Sequence, residues 1–423
     1  MAKILISTLG VGQLDKNAEF GRTYRTASYQ IDGQPYKSSF VASVLYKHLK
    51  LDGIIFIGTV KSMWEEVYRF FCEQNNHNLD EEYWLKLAEK ISILNHSSSL
   101  DELDLIRVNG VLGERSQCVL IKYGLNEDEL WKNFDQVIQV VNCLKKRDEI
   151  YIDISNSFRS LSLFLFLVLV FIKDIPSERE IKISGVYYGM LDVIGELGYA
   201  PIVDLKPLFQ ITDWIKGTYS LKSYGDGFLI AELLEQQGEI ALAKNLRSFS
   251  QAVNLGYSPT VQEQVESLQK TLKKRQVKAP FKYLKKFVEN FLKPFSQKHE
   301  SDFQLELASW YFENQRYATG YLTMTEAILT YLCEINTKDP DTYSERELMK
   351  DLIFNHPSHK SSRLSQLYKE INEIRKRIAH PVIGFTEANL SDNIKKADSY
   401  HKELKSIFKS GTWGEDLFRR RNS

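Results

Sequence analysis

From residue 1 to about 205, short runs rich in Ile, Val and Tyr alternate with helical stretches, and from about 206 onward the strand signals stop. Strands separated by helices pair in parallel, and the helices then cover both faces of one doubly wound sheet. Residues 3–8, 53–58, 119–123, 149–154 and 181–188 are the strand candidates. Residues 60–72, 127–145 and 159–173 have helical composition. Residues 23–31 and 34–40 flank Asp32-Gly33, a pair that suits a tight hairpin, inserted after the first strand and hanging over the same sheet edge. The expected architecture is α/β plus all-α: a Rossmann-like sheet over 1–205, a helical connector over 206–300 and a helical bundle over 301–423.

The helical part has its own pattern. Phe281, Leu284, Phe287, Phe291 and Phe295 recur every three or four residues, which puts an apolar stripe on one face. Nine Lys or Arg surround it between residues 273 and 298; a solvated lysine face is preferred to an RNA-contacting surface. Residues 302–314, 317–336, 345–354, 363–379 and 387–409 are the helix candidates of the bundle, with turns at Asp339-Pro340-Asp341 and His356-Pro357-Ser358.

Length excludes a single core, since 423 residues exceed what one hydrophobic core usually serves. Lys+Arg and Asp+Glu are both 55, so nucleic-acid chemistry would have to sit in a local patch. Cys72, Cys118, Cys143 and Cys333 are scattered without a CxxC pair, which suits reduced thiols in a cytoplasm. The run Ile4-Leu5-Ile6 is too brief for a signal peptide and reads as a strand. The longest apolar run, 161–172, falls short of the roughly 20 residues of a membrane span, so no membrane partner is expected.

Two stretches at strand ends carry polar chemistry. Ser7-Thr8-Leu9-Gly10-Val11-Gly12 suggests a dinucleotide fingerprint, but Asp15 stands where the third glycine belongs, which argues against a nicotinamide cofactor. Such a turn still exposes backbone N–H groups to phosphate or ribose. Tyr151-Ile152-Asp153-Ile154-Ser155-Asn156-Ser157-Phe158-Arg159-Ser160 runs from a strand through small polar residues into an apolar helix. Its hydroxyls, amide and helix N–H groups can cap that helix, or face an anion together with Arg159.

These segments, with Tyr36-Lys37-Ser38-Ser39-Phe40 and Val186-Tyr187-Tyr188-Gly189, closely resemble the CARF sensor of CRISPR-associated ancillary proteins. In that family the sensor dimerises and binds a cyclic oligoadenylate across its two-fold axis. The resemblance implies contacts from Thr8, Leu9, Gly10, Ser155, Asn156, Ser157 and Arg159, and from Ser39 and Tyr188.

Near the end stands Arg375-Lys376-Arg377-Ile378-Ala379-His380-Pro381. Five residues turn a helical side chain about 140° from the first, so Arg375 and His380 face one substrate only where the helix ends. Pro381 supplies that ending by disfavouring the α conformation at His380. A histidine at a helix C-terminus is held toward its protonated form and can donate a proton, while an arginine pairs with phosphate. The alternative is a basic helix end with a capping histidine. Asn372, one turn earlier, can orient Arg375, contact RNA or simply lie exposed. His356, His359 and His380 lack a nearby cysteine or a second carboxylate-histidine pair, so no metal is expected.

The late helices with Arg-x4-His look like a HEPN ribonuclease domain, whose active site forms when two chains juxtapose their motifs. Arg375 and His380 carry over directly; Lys376 stands where the family often has an uncharged polar residue. Together the two resemblances follow the order of type III CRISPR ancillary ribonucleases. They imply a cytoplasmic homodimer or higher homo-oligomer activated by cyclic oligoadenylate from a type III effector complex. The four-membered ring is expected before the six-membered one. The implied reaction is metal-independent cleavage of single-stranded RNA by 2′-OH attack, with no cofactor. A non-catalytic nucleotide-sensing regulator, whose helical half binds a partner or nucleic acid, is the alternative.

Overall fold

Along the first strand Ile4 and Ile6 point into one core and Leu5 and Leu9 into another, and all four are buried. A strand covered on both faces reads as a continuous apolar run, which is how the chain begins. The computed structural model describes residues 2–15, 23–142, 144–155, 159–174, 180–256, 258–274, 276–379 and 387–413. The chain divides into two units, Met1–Thr212 and Asp213–Ser423.

The strands of the first unit are β1 (Lys3–Leu9), β2 (Ala27–Ile31), β3 (Gln34–Ser38), β4 (Gly53–Gly58), β5 (Gln117–Leu120), β6 (Glu149–Asp153), β7 (Lys182–Gly189) and β8 (Ala200–Asp204). Its helices are α1 (Val41–Leu49), α2 (Trp64–Gln74), α3 (Glu81–Ile93), α4 (Ile106–Leu112), α5 (Glu127–Asn142), α6 (Arg159–Asp174), α7 (Ile194–Leu197) and α8 (Lys206–Phe209). The sheet order is β3-β2-β8-β7-β6-β1-β4-β5. β7, β6, β1, β4 and β5 are parallel, so this part is the expected doubly wound sheet.

The rest corrects the expectation of a wholly parallel sheet. β8, short and with Pro201 inside it, carries little strand signal of its own, and it pairs antiparallel with β7. The Asp32-Gly33 hairpin forms, but it does not hang over an edge. It extends the sheet, β2 running parallel to β8 through Tyr29 and Gln30. One core joins α1, α2 and α4 to Leu5, Ile54 and Phe56; the opposite core joins α5 and α6 to Ile4, Ile55, Ile150 and Ile152.

Described elements of the second unit are all helical: α9 (Ile211–Tyr224), α10 (Phe228–Gln236), α11 (Ile240–Leu255), α12 (Ser258–Lys274), α13 (Phe281–Leu292), α14 (Glu300–Glu313), α15 (Tyr317–Ile335), α16 (Tyr343–Phe354), α17 (Arg363–Ala379) and α18 (Glu387–Ser410), besides a 3-10 turn at Lys293–Phe295. Two cores meet on α14. Phe303, Leu307 and Tyr311 pack with α9 to α13, while Leu305 and Ala308 pack with α15 to α18. Among the described residues no helix is long and apolar enough to cross a membrane.

Candidate functional site

In this sheet the first crossover leaves β1 for β4, and the chain later returns to the other side of β1 with β6. The strand order therefore reverses between β1 and β6, and ligands of open α/β sheets bind at the carboxyl ends of such a pair. Ser7 of β1 lies beside Asp153 of β6 at that end. The turn after β1 and the loop after β6 are thus neighbours, as the two sequence stretches required.

Asp153 organises the β6 side. Its carboxylate is fully buried and accepts from Ser7 Oγ at 2.8 Å, from Ser155 N at 2.9 Å and from the Ser155 hydroxyl. Burial pushes its pKa up, against the lowering effect of those hydrogen bonds. Ser155 Oγ in turn accepts from Gly189 N at 2.8 Å, which ties the β6 loop to the end of β7. A Cβ on Gly189 would lie 2.4 Å from Val41 Cγ2, so the close approach requires glycine.

The loop after β4 pins the β1 turn. Ser62 Oγ donates to Leu9 O at 2.5 Å and accepts from Thr59 N, and Met63 N donates to Gly10 O at 3.0 Å. Gly12 takes φ +66°, and a Cβ there would run into the Tyr24 ring. Beyond it Arg25 N donates to Gln13 O and Asp15 N to Thr23 O, so 13–15 and 23–25 form an antiparallel arm.

These pieces enclose a cavity of about 490 Å³. Of the residues expected to bind ligand, Leu9, Gly10, Ser39 and Ser155 line it. Ser39 Oγ also donates to Glu66 at 2.6 Å at the start of α2. Thr8 does not line it: its side chain is buried and its Oγ1 lies 3.4 Å from Asp153 O. Tyr188 is half-buried on β7 and also does not line it. Asn156 and Ser157 lie outside the described residues, and of Arg159 only its place at the start of α6 is described.

Lining residues missed from sequence include Arg25, Tyr29, Thr59, Ser62, Met63 and Asp192. Thr59 and Ser62 follow a third strand end, so the carboxyl-edge rule applied to β4 would have found them. Asp192 follows the end of the parallel strand β7, to which the same rule applies, whereas Arg25 arrives on the arm that precedes β2. Tyr29 is pushed up to about 12 by burial and then by Asp153, so it meets a ligand as a neutral phenol.

In the second unit α17 buries Leu364, Leu367, Tyr368, Ile371 and Ile374, one face at helical spacing. Arg363 forks onto Glu403 at 2.8 and 2.9 Å, binding α17 to α18, and Tyr400 OH donates to Glu370 at 3.0 Å. Arg375 and Asn372 are half-buried and Lys376 is exposed. Among the described residues Arg375 has no hydrogen-bond or ion-pair partner. α17 ends at Ala379, and His380 lies outside the described residues. His356 and His359 stack at 4.8 Å, and His359 stacks on Trp413 at 4.2 Å.

Residues 4–192 match the family described as CRISPR system endoribonuclease Csx1, CARF domain. The first unit is therefore similar over most of its length to the CARF domain of CRISPR-associated proteins. Residues 210–301 match the second domain of CRISPR-associated protein MJ1674. CRISPR-associated protein MJ1674 of Methanocaldococcus jannaschii is 36% identical over 426 residues, 95% of this chain and 64% of that protein. This chain thus spans slightly less than two-thirds of the length of that relative. A solved structure, Enterococcus italicus Csm6 bound to cyclic hexa-2'-fluoro-hexa-dAMP, aligns over 97% of this chain and 95% of its own at 13% identity and a TM-score of 0.37.

Proposed function

We propose that the protein is a cyclic-oligoadenylate-activated, metal-independent endoribonuclease of type III CRISPR antiviral defence. The observation that carries the reading is the cavity at the β1/β6 switch point of a CARF-like domain, where Gly10, Ser39 and Ser155 meet. Small residues and hydroxyls at parallel strand ends suit a ligand with phosphates and riboses. The cyclic tetra-adenylate ring is preferred, with the cyclic hexa-adenylate second. Asn156, Ser157 and Arg159 complete the ligand-binding set, and Thr8 and Tyr188 support it from outside the cavity lining.

The second unit, from about residue 301, acts as a HEPN ribonuclease, joined to the sensor by the connector of 206–300. Arg375 stabilises charge developing on the phosphate oxygens, and His380 transfers a proton or positions the leaving group. Asn372 and Lys376 support the RNA. Attack by the substrate 2′-OH leaves a 2′,3′-cyclic phosphate and a 5′-OH. The protein works as a homodimer in the cytoplasm, and ligand activates it by favouring the pairing geometry in which two motifs meet.

The test is cleavage of a fluorogenic single-stranded RNA in EDTA with cyclic tri-, tetra- and hexa-adenylate added separately, for the native chain and His380→Ala. Stimulation by one ring, lost in the variant, is the expected result. Tight binding of a ring without cleavage would move the protein to a non-catalytic regulator.

A further inference from the structure

The chain as a whole is balanced at 55 basic and 55 acidic residues, yet residues 267–299 contain ten Lys or Arg and one acid, Glu289. A solvated helix face ordinarily intersperses the two signs, because like charges four apart weaken a helix and opposite ones support it. Here Lys282 and Lys286 stand four apart on α13 with the same sign. Lys273, Lys274, Lys278, Lys282, Lys286 and Lys293 are exposed, with no ion-pair partner among the described residues. They gather on the last turn of α12, the turn into α13 and the outer side of α13. Gln237 Nε2 anchors that turn by donating to Ala279 O at 3.0 Å.

Within this patch Tyr283 is 77% exposed. It shares a row with Lys286, three residues on along α13, and with Lys293, seven further on at the start of the 3-10 turn that follows the helix. Of the apolar side chains of the same helix, Phe281, Val288 and Leu292 are buried and Leu284, Phe287 and Phe291 pack against the same core, which leaves no exposed aliphatic stripe to enter a lipid surface. An exposed ring flanked by unpaired lysines combines a stacking platform with groups that bind phosphate. A ring stacks on a base only where the base is unpaired.

We propose that the α12–α13 face is a binding surface for single-stranded RNA, separate from Arg375 and His380, with Tyr283 stacking on a base and Lys282, Lys286 and Lys293 holding phosphates. The choice of RNA over DNA rests on the ribonuclease reading. Such a surface would raise the local concentration of substrate and act on KM more than on kcat.

The experiment is fluorescence anisotropy of a labelled unstructured RNA with the full chain, over a range of salt, in an Arg375→Ala background that keeps the RNA intact. The combined variant Lys282→Gln/Lys286→Gln/Lys293→Gln is expected to weaken binding at least about 10-fold and to reduce the slope of log affinity against log salt by about 2, near 0.7 for each phosphate no longer neutralised. Tyr283→Ala is expected to weaken binding by about 5- to 100-fold without changing that slope, and Tyr283→Phe to retain it. Lys273→Gln/Lys274→Gln/Lys278→Gln provides an independent set, with circular dichroism checking the fold of each. Unchanged affinity and slope in both lysine sets would overturn the proposal, as would equal binding of duplex RNA or preference for DNA. An acidic protein captured by the native face in place of RNA would also overturn it. Product formation by the native chain is scored separately, so failure of the ribonuclease reading leaves the binding result standing.

Discussion

Asp153 concentrates the chemistry of the candidate site in one side chain. A carboxylate raised by burial keeps its proton in the fold at pH values where the unfolded chain, near 3.9, has released it. Its best contribution is therefore present below the unfolded value and is lost as pH rises through the folded one. Asp153→Asn removes that titration while leaving an acceptor for Ser7 or Ser155. Urea unfolding from pH 4 to 7 should then show the variant gaining on the native chain as pH rises; a constant difference would contradict it. Ser155 is the second control point, because its Oγ accepts from the buried Gly189 N. Ser155→Ala orphans that donor and should cost about 1–3 kcal/mol in the same urea experiment. Binding of the proposed activating ring should weaken in parallel, since Ser155 lines the cavity.

At the level of elements, the arm of 13–15 and 23–25 is held by the turn at Gly12. Gly12→Ala meets both a left-handed φ of +66° and the Tyr24 ring 2.5 Å from the new carbon. Stability should fall by more than about 1 kcal/mol, and ring binding should weaken because Gln13 and Arg25 shift with the arm. Gly33→Ala, at φ +77° with open space around it, keeps the strain without the clash. Calorimetry with both variants should show a binding loss in the first alone. Parallel strands were legible because they are apolar on both faces, and Gly53–Gly58 and Arg363–Ala379 fall where periodicity and Pro381 put them. β8 was not, because it is five residues with Pro201 inside, and it turns back antiparallel onto β7 where an alternation of strands and helices leads to parallel pairing. The polar turn of β1 and the Ser155 loop could be read as site elements from strand ends alone. Arg25 could not, since only the arm brings it to the cavity.

Across the molecule, the proposed ribonuclease needs two copies, because each chain supplies one Arg-x4-His motif to a shared site. The first unit offers a surface that suits a second copy. Leu163, Leu167 and Phe171 lie at intervals of four along α6 and are 61, 57 and 48% exposed, with Trp131 of α5 nearby through Phe134. Rows of this kind on a helix are ordinarily buried. The helix begins at Arg159, just past the Ser155 loop, so a copy docked there would stand beside the cavity and could share a symmetric ring. Leu167→Glu places a charge in the middle of the row without touching either core. Light scattering should show a monomer where the native chain, on the proposed pairing, runs as a dimer, with the circular dichroism spectrum unchanged. Cleavage should then fall by about 100-fold or more, the scale on which losing a stabilising group from a transition state acts. Arg375→Ala should lose cleavage to a similar degree while remaining a dimer and binding the ring with native affinity, which separates assembly from chemistry. A Leu167→Glu monomer with full activity would place both motifs' work within one chain and remove the need for pairing.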